Sequence, residues 1–299
     1  MSKPYEYIPK VAKDIVIRKF AFEFPDDLKP VWIPDNPIRS HMFNGLSVTM
    51  PYLELYLIKS TQAAMKLIEH DELLEDMRGF NGQEARHYQC HRRLNELLKA
   101  NGYPELATVE QRLAKSFERL AGTSLRTQLA YDAGFECMTN GFTHWLITKR
   151  KTLFKEASPH VTSFWLVHMV EETEHKTVAF DTYMAFSGQY WPRVFGVFHG
   201  TCHLWGWGLV GMFTALKKDG LLWRPKTLFG LLKEVGSALY NVGPFVARAL
   251  FPGYNPRQEN DPEWYADWVS GHAALGNDGP LPLVDTTDPD MPVPFDKVA

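Results

Sequence analysis

A chain of 299 residues, 45% apolar and 22% charged, can bury a sizeable core in one large domain with appendages. Its formal net charge of −3 gives no general electrostatic ground for binding nucleic acid. Three cysteines, Cys90, Cys137 and Cys202, without Cys-x-x-Cys spacing, exclude a disulfide framework and a thiolate zinc site, so any metal must be held by nitrogen and oxygen.

The N-terminus, Met1-Ser-Lys-Pro-Tyr-Glu6, lacks the charged and apolar regions of an export signal, so a cytoplasmic protein is expected. Residues 1–45, punctuated by Pro4, Pro9, Pro25, Pro30, Pro34 and Pro37, read as an extended arm lying on the surface of the fold. Phe20, Phe22, Phe24 and Trp32 would anchor the arm, and no chemistry is assigned to it. Helical periodicity begins at Pro51, a good first-turn residue, and Glu54 is the carboxylate in this apolar run. A second helix is predicted from Asp71 to Lys99, ending at Asn101-Gly102, followed by a surface linker through Tyr103-Pro104. A third runs from Ser116 to Lys151 and carries Glu136. A fourth runs from Ser158-Pro159 to Ser187-Gly188 and carries His168-Met-Val-Glu-Glu-Thr-Glu-His175. The expected architecture is all-α, with a four-helix bundle of two antiparallel hairpins over residues 46–190.

From Val194 to Leu216 no residue is charged, a length that could cross a bilayer. Gly196-x-x-x-Gly200 resembles a small-residue packing motif, and the run also holds His199 and His203. A buried helix or a membrane-surface contact is favoured over a span, within a C-terminal helical region covering 191–251. Its last helix, from 226, is expected to be interrupted at Gly243-Pro244. Residues 252–299 form a Pro- and Asp-rich tail in which Trp264-Tyr-Ala-Asp-Trp268 docks and the last twenty residues, from Pro280, are extended or mobile.

The chemistry lies in the second and fourth helices. At about 100° per residue, His168, Glu172 and His175 fall within roughly 60° of one another around the helix axis. Gln83-Glu-Ala-Arg-His87 repeats the Glu-x-x-His core. In a helical hairpin two residues at equal height are equidistant from the turn. Glu54 and Glu84 have their midpoint at position 69, beside the polar Glu69-His-Asp-Glu72, and Glu136 and Glu172 have theirs at 154, near Ser158-Pro159. Both hairpins thus bring their carboxylates level. A lone glutamate is ordinarily a solvated helix face and a lone histidine a hydrogen-bonded core residue. Four segments in this order point instead to a pair of metal ions held by Glu54, Glu84, His87, Glu136, His168, Glu172 and His175, with Glu84 and Glu172 as the catalytic, metal-bridging carboxylates. His91, within about 20° of Glu84 around the helix, also points inward, as pocket wall or ligand. His199 and His203 form a second i, i+4 pair, read as packed or hydrogen-bonded. Tyr88, Trp145 and Trp165 read as core or as electron-relay residues.

The order Glu, Glu-x-x-His, Glu, Glu-x-x-His resembles the ferritin-like di-iron carboxylate proteins, and His168 before Glu172 resembles the p-aminobenzoate N-oxygenase type, in which a third histidine joins the ligands. Phe80-Asn-Gly-Gln-Glu-Ala-Arg-His87 and Glu171-Glu-Thr-Glu-His-Lys176 are also similar to a bacterial family labelled predicted metal-dependent hydrolases. The first resemblance implies two iron ions, with manganese or a mixed pair as variants. It further implies dioxygen and a small, apolar or aromatic organic substrate, and an electron donor of unassigned identity. The second implies a hydrolase, with zinc among its metals, acting through a metal-bridged water. Iron handling by a ferritin-like assembly is a third reading, and a homodimer is a further expectation. In such relatives an acidic residue before the motif glutamate orients a histidine on the opposite helix. Glu171 keeps that feature and Gln83 departs from it, which implies an ionised partner for His87 and a neutral one for His175.

Overall fold

The computed structural model describes residues 15–18, 22–276 and 281–295, and every regular element among them is helical. The expectations placed on Pro4, Pro9, Phe20 and Pro280 lie outside the described residues.

Helix α1 (Pro37–Met65) starts fourteen residues before the predicted position. Asn36 caps it by accepting a hydrogen bond from the Arg39 N–H, and Pro37 takes the first-turn place that Pro51 was expected to hold. Pro51 lies inside the helix and cannot donate to the carbonyl of Ser47. Asn95 Nδ2 donates to that oxygen at 2.9 Å instead. Helix α2 (Asp71–Ala100) closely follows its predicted span, and residues 66–70 make the turn where the Glu54/Glu84 arithmetic requires one.

The predicted third helix is two helices. Leu106, Val109, Leu113, Phe117 and Leu120 form the buried stripe of α3 (Leu106–Ala121), which occupies the ground read as linker. The chain then breaks at Gly122, and Ser124 caps α4 (Leu125–Leu153) by accepting from the Thr127 N–H. Residues 154–158 turn into α5 (Pro159–His175), matching the second midpoint. The predicted fourth helix also divides, because α5 stops at Lys176 and α6 (Val178–Phe186) follows. Lys176 Nζ at the break reaches Glu259 O and Asp261 Oδ1 at 2.8 and 2.5 Å.

Helix α7 (Tyr190–Lys218) lies against α1 and α4, and no described helix is long and apolar enough to cross a membrane. Glycines let these backbones touch: a Cβ on Gly196 would stand 1.8 Å from the Ala130 carbonyl oxygen, and one on Gly45 would stand 2.2 Å from that of Gly208. The Gly196-x-x-x-Gly200 motif is therefore an intramolecular packing device. His203 is hydrogen-bonded to Ser116 and Tyr131, as a packed histidine should be. Helix α8 (Pro225–Ala249) packs on α4 and runs through Pro244 without the expected interruption. The carbonyl that Pro244 frees belongs to Tyr240, which is 82% exposed, so water can replace the lost bond.

Residues 281–295 are non-helical, as an extended tail should be, and they are pinned to the fold. After α9 (Glu263–Leu275), whose Trp264 and Trp268 are buried, Val284, Met291, Val293 and Phe295 are buried too. Thr286 exchanges hydrogen bonds with the 154–158 turn, donating to Ala157 O and accepting from the Glu156 N–H. Within the arm, Phe22, Phe24 and Trp32 are buried as expected, and the arm ends at residue 36 rather than 45.

Candidate metal centre

Helices α1, α2, α4 and α5 bring Glu54, Glu84, His87, Glu136, His168, Glu172 and His175 to one buried place. Ligand-capable atoms of Glu84, Glu136, Glu172 and His175 lie within 4.8 Å of one another, and so do those of Glu54, Glu84 and His87. A further set joins His87, His168 and Glu172. A fourth joins Glu54, His91 and His168, so Glu54, Glu84, His87, His168 and Glu172 each take part in two sets.

The fit of this cluster to metal ions is tested by its unsatisfied atoms. Both carboxylate oxygens of Glu54, Oε1 of Glu84, Oε1 of Glu136, Oε2 of Glu172, Nδ1 of His87 and Nε2 of His175 are buried with no hydrogen-bond partner. Buried polar atoms normally find a donor or acceptor, and carboxylate and imidazole atoms that converge without one suit a cation, which would displace any protons they hold. Spacing agrees: His168 Nε2 lies 3.0 Å from Glu172 Oε1, and His175 Nε2 lies 3.3 Å from Glu84 Oε1 and 3.4 Å from Glu172 Oε2. Two ligand atoms each about 2.1 Å from one ion, at right angles, stand about 3 Å apart. The donor set fits.

Surrounding groups fix which imidazole nitrogen is bare. Glu171 Oε2 accepts from His87 Nε2–H at 2.8 Å, leaving Nδ1 facing the cluster. Gln83 Oε1 accepts from His175 Nδ1–H at 2.8 Å, leaving Nε2 facing it, so the partners are ionised and neutral respectively. The third histidine is set by a longer chain. Asn95 Nδ2 is committed to Ser47 O, so its Oδ1 accepts the Ser47 hydroxyl proton at 2.8 Å. Ser47 Oγ must then accept from His91 Nδ1–H at 2.8 Å, and His91 Nε2 accepts from His168 Nδ1–H at 3.0 Å. His168 turns Nε2 to Glu172 Oε1 at hydrogen-bond distance, and His91 stands behind it with Nε2 also 3.8 Å from Glu54 Oε1.

Electrostatics follow from burial and crowding. Burial first, then the Glu172 charge, raises Glu54, Glu84 and Glu136 well above the ordinary carboxylate range. Burial also opposes ionisation of Glu172, but His175 and His168 hold it well below that range. Burial lowers His87 to about 3, and burial together with the neighbouring His87 lowers His168 to about 4. Without metal, burial therefore disfavours charge on His87 and His168 and on Glu54, Glu84 and Glu136, while Glu172 is held as the anion.

Arg18, in the arm to which no chemistry was assigned, is buried and bridges Glu171 Oε1 at 3.0 Å and Glu174. Gln83 Nε2 also donates to Glu174 Oε2 at 2.7 Å, so Arg18 stands behind both imidazole holders. Glu171 and Glu174, three residues apart beside a buried motif, were the available signal that a cation must come from elsewhere. Trp165 is buried and stacks on His168 with ring centroids 6.1 Å apart, Trp145 is buried, and Tyr88 accepts from Arg92 at the half-buried edge.

An all-α bundle with a buried carboxylate and imidazole cluster able to hold metal ions defines the class of protein. Residues 16–260 match the family model described as predicted metal-dependent hydrolase, and the chain belongs to that family. No curated protein and no solved structure matches it.

Proposed function

We propose that this chain is a two-metal enzyme that hydrolyses a small organic substrate. The convergence of unpartnered buried atoms from Glu54, Glu84, His87, Glu136, Glu172 and His175 carries the two-metal reading, and the family description supports hydrolysis. Two divalent cations would polarise an ester, amide or phosphoryl group and make water a nucleophile near neutral pH. The chain's residues do the rest. The carboxylates of Glu54, Glu84, Glu136 and Glu172 would hold two such ions and balance their charge. His87, His168 and His175 supply neutral nitrogen, each held in one tautomer by Glu171, His91 and Gln83. Phe80, Phe164 and Trp165 pack against His175, His91 and His168 in an interior where a low dielectric strengthens every charge interaction.

A second reading is oxidation by dioxygen on two iron ions. The donor set itself favours it, because a carboxylate-rich site with three imidazoles inside a helical bundle suits redox metals. That reading needs an electron donor as a partner. Metal analysis of protein purified without added metal, followed by anaerobic iron(II) loading and exposure to oxygen, separates the two. Turnover of ester or phosphoester substrates by the zinc or manganese form without oxygen supports hydrolysis. Stoichiometric oxygen uptake with transient visible absorption overturns it in favour of oxidation.

A further inference from the structure

The outer faces of α7 and α8 are apolar where a surface helix should be polar. On α8, at about 100° per residue, Leu228, Phe229, Leu232, Leu239 and Tyr240 occupy one arc of roughly 120°. Phe229 is 73% and Leu232 74% exposed. On α7, Trp191, Phe195, Phe198 and Phe213 share an arc of about 60°, and Phe195 is 69% exposed. Between the helices runs a groove of about 420 Å³ lined by Cys202, Trp205, Leu209, Leu239, Val242 and Val246, among others, with almost no polar surface. The 219–224 connection adds Trp223, also exposed.

Charge is equally one-sided. The exposed charges from 190 to 249 are Lys217, Lys218, Arg224, Lys226, Lys233 and Arg248; Lys218 is paired with Glu105 and Arg248 with Glu259, so the rim rests on Lys217, Arg224, Lys226 and Lys233. The acids in this stretch are engaged inward: Asp219 with His41 and Tyr103, and Glu234 with Arg39. Lys226 and Lys233 lie at one edge of the α8 arc.

We infer that the α7–α8 face is a docking surface for an anionic lipid bilayer, lying on it rather than crossing it. Aromatic and leucine side chains enter the acyl boundary while the lysine rim meets lipid phosphates, as interfacial helices do. No described helix can span, which leaves the in-plane geometry. A second copy of the chain fits less well, because a twofold contact sets a patch against itself and would oppose one cationic rim to another. An anionic surface answers that rim.

Cys202 is exposed in the middle of the α7 arc while Cys90 and Cys137 are buried, so the native chain offers one site for an environment-sensitive fluorophore. With vesicles of phosphatidylcholine and phosphatidylglycerol, the label should shift to the blue and the protein should float with the vesicles. Leu232→Glu with Leu239→Glu should reduce partitioning at least about tenfold, with helical circular dichroism unchanged. Lys226→Glu with Lys233→Glu should remove the preference for phosphatidylglycerol over pure phosphatidylcholine, and added salt should do the same to the unsubstituted chain. Leu67→Glu, at an exposed leucine outside this face, should leave binding intact. Failure to float with either vesicle overturns the inference, as does an equal loss in Leu67→Glu. A concentration-dependent blue shift without vesicles, matched by a dimer in sedimentation, overturns it in favour of self-association.

Discussion

Two regions of this molecule reverse the usual distribution of polarity. In the bundle core, carboxylates and imidazoles are buried with unpartnered atoms; on the α7–α8 face, large apolar side chains stand in solvent. The two reversals call for different remedies. A buried set of acceptors is a local problem that cations can resolve on the spot, and the surrounding hydrogen bonds already hold the donors in place. An exposed apolar face has no such internal solution and must be covered from outside. The first is therefore read as chemistry and the second as attachment.

The comparison breaks most sharply at the shared carboxylates. Glu84→Ala or Glu172→Ala should lower bound metal from two ions per chain to one or none and abolish turnover, since each removes a buried carboxylate from two ligand sets, as loss of Glu54 would too. Elemental analysis checks this, and a variant retaining both ions with normal activity would sink the assignment. Next in size is Arg18→Met, which strands Glu171 and Glu174 in the interior. Breaking a buried ion pair from one side costs about 3–5 kcal/mol, measurable by denaturant unfolding, whereas an unchanged midpoint would show that the pair carries no such weight.

Glu171→Gln is gentler. It keeps the size of the group beside His87 and removes its charge, so metal affinity should fall about 10- to 100-fold while the fold is kept. Competition with a chelator measures it; equal affinity would mean that the charge of Glu171 is immaterial to His87.

The smallest effect is a titration. Glu54, Glu84 and Glu136 hold protons above the ordinary carboxylate range, and metal needs them as anions. Loading metal at neutral pH should therefore release protons into a weakly buffered indicator solution, and affinity should weaken as pH falls. No release would show the carboxylates to be ionised already.

Much of this was legible in the sequence because helices convert spacing into position. The Glu-x-x-His segments and the two hairpin midpoints located the meeting place of seven side chains, and the turns at 66–70 and 154–158 lie where the arithmetic needs them. Their meeting is observed; their ligation of metal is the proposal. Arg18 was not legible, since it reaches Glu171 across 153 positions and nothing in a local pattern ties an arm to a distant helix. The break after α3 and the start of α1 are hidden in the sequence for a different reason. A proline reads alike at a first turn and in an interior that compensates for it, and a short cap at Ser124 is easily lost in a long periodic run.

That interior proline has a wider consequence. Pro51 cannot donate to Ser47 O; Asn95 does so instead, and this fixes the direction of the hydroxyl and imidazole chain that ends at His168. A defect in one helix is thus the first link in aiming a side chain on another. Pro51→Ala would offer Ser47 O a backbone donor, freeing the Asn95 amide to turn and the imidazole to change tautomer. Such a variant should melt at a higher temperature, because an interior proline costs about 3 kcal/mol, yet bind metal less tightly. A chain unchanged in both respects would uncouple them. Helix continuity and site orientation make opposing demands on this one residue, and the native sequence favours orientation.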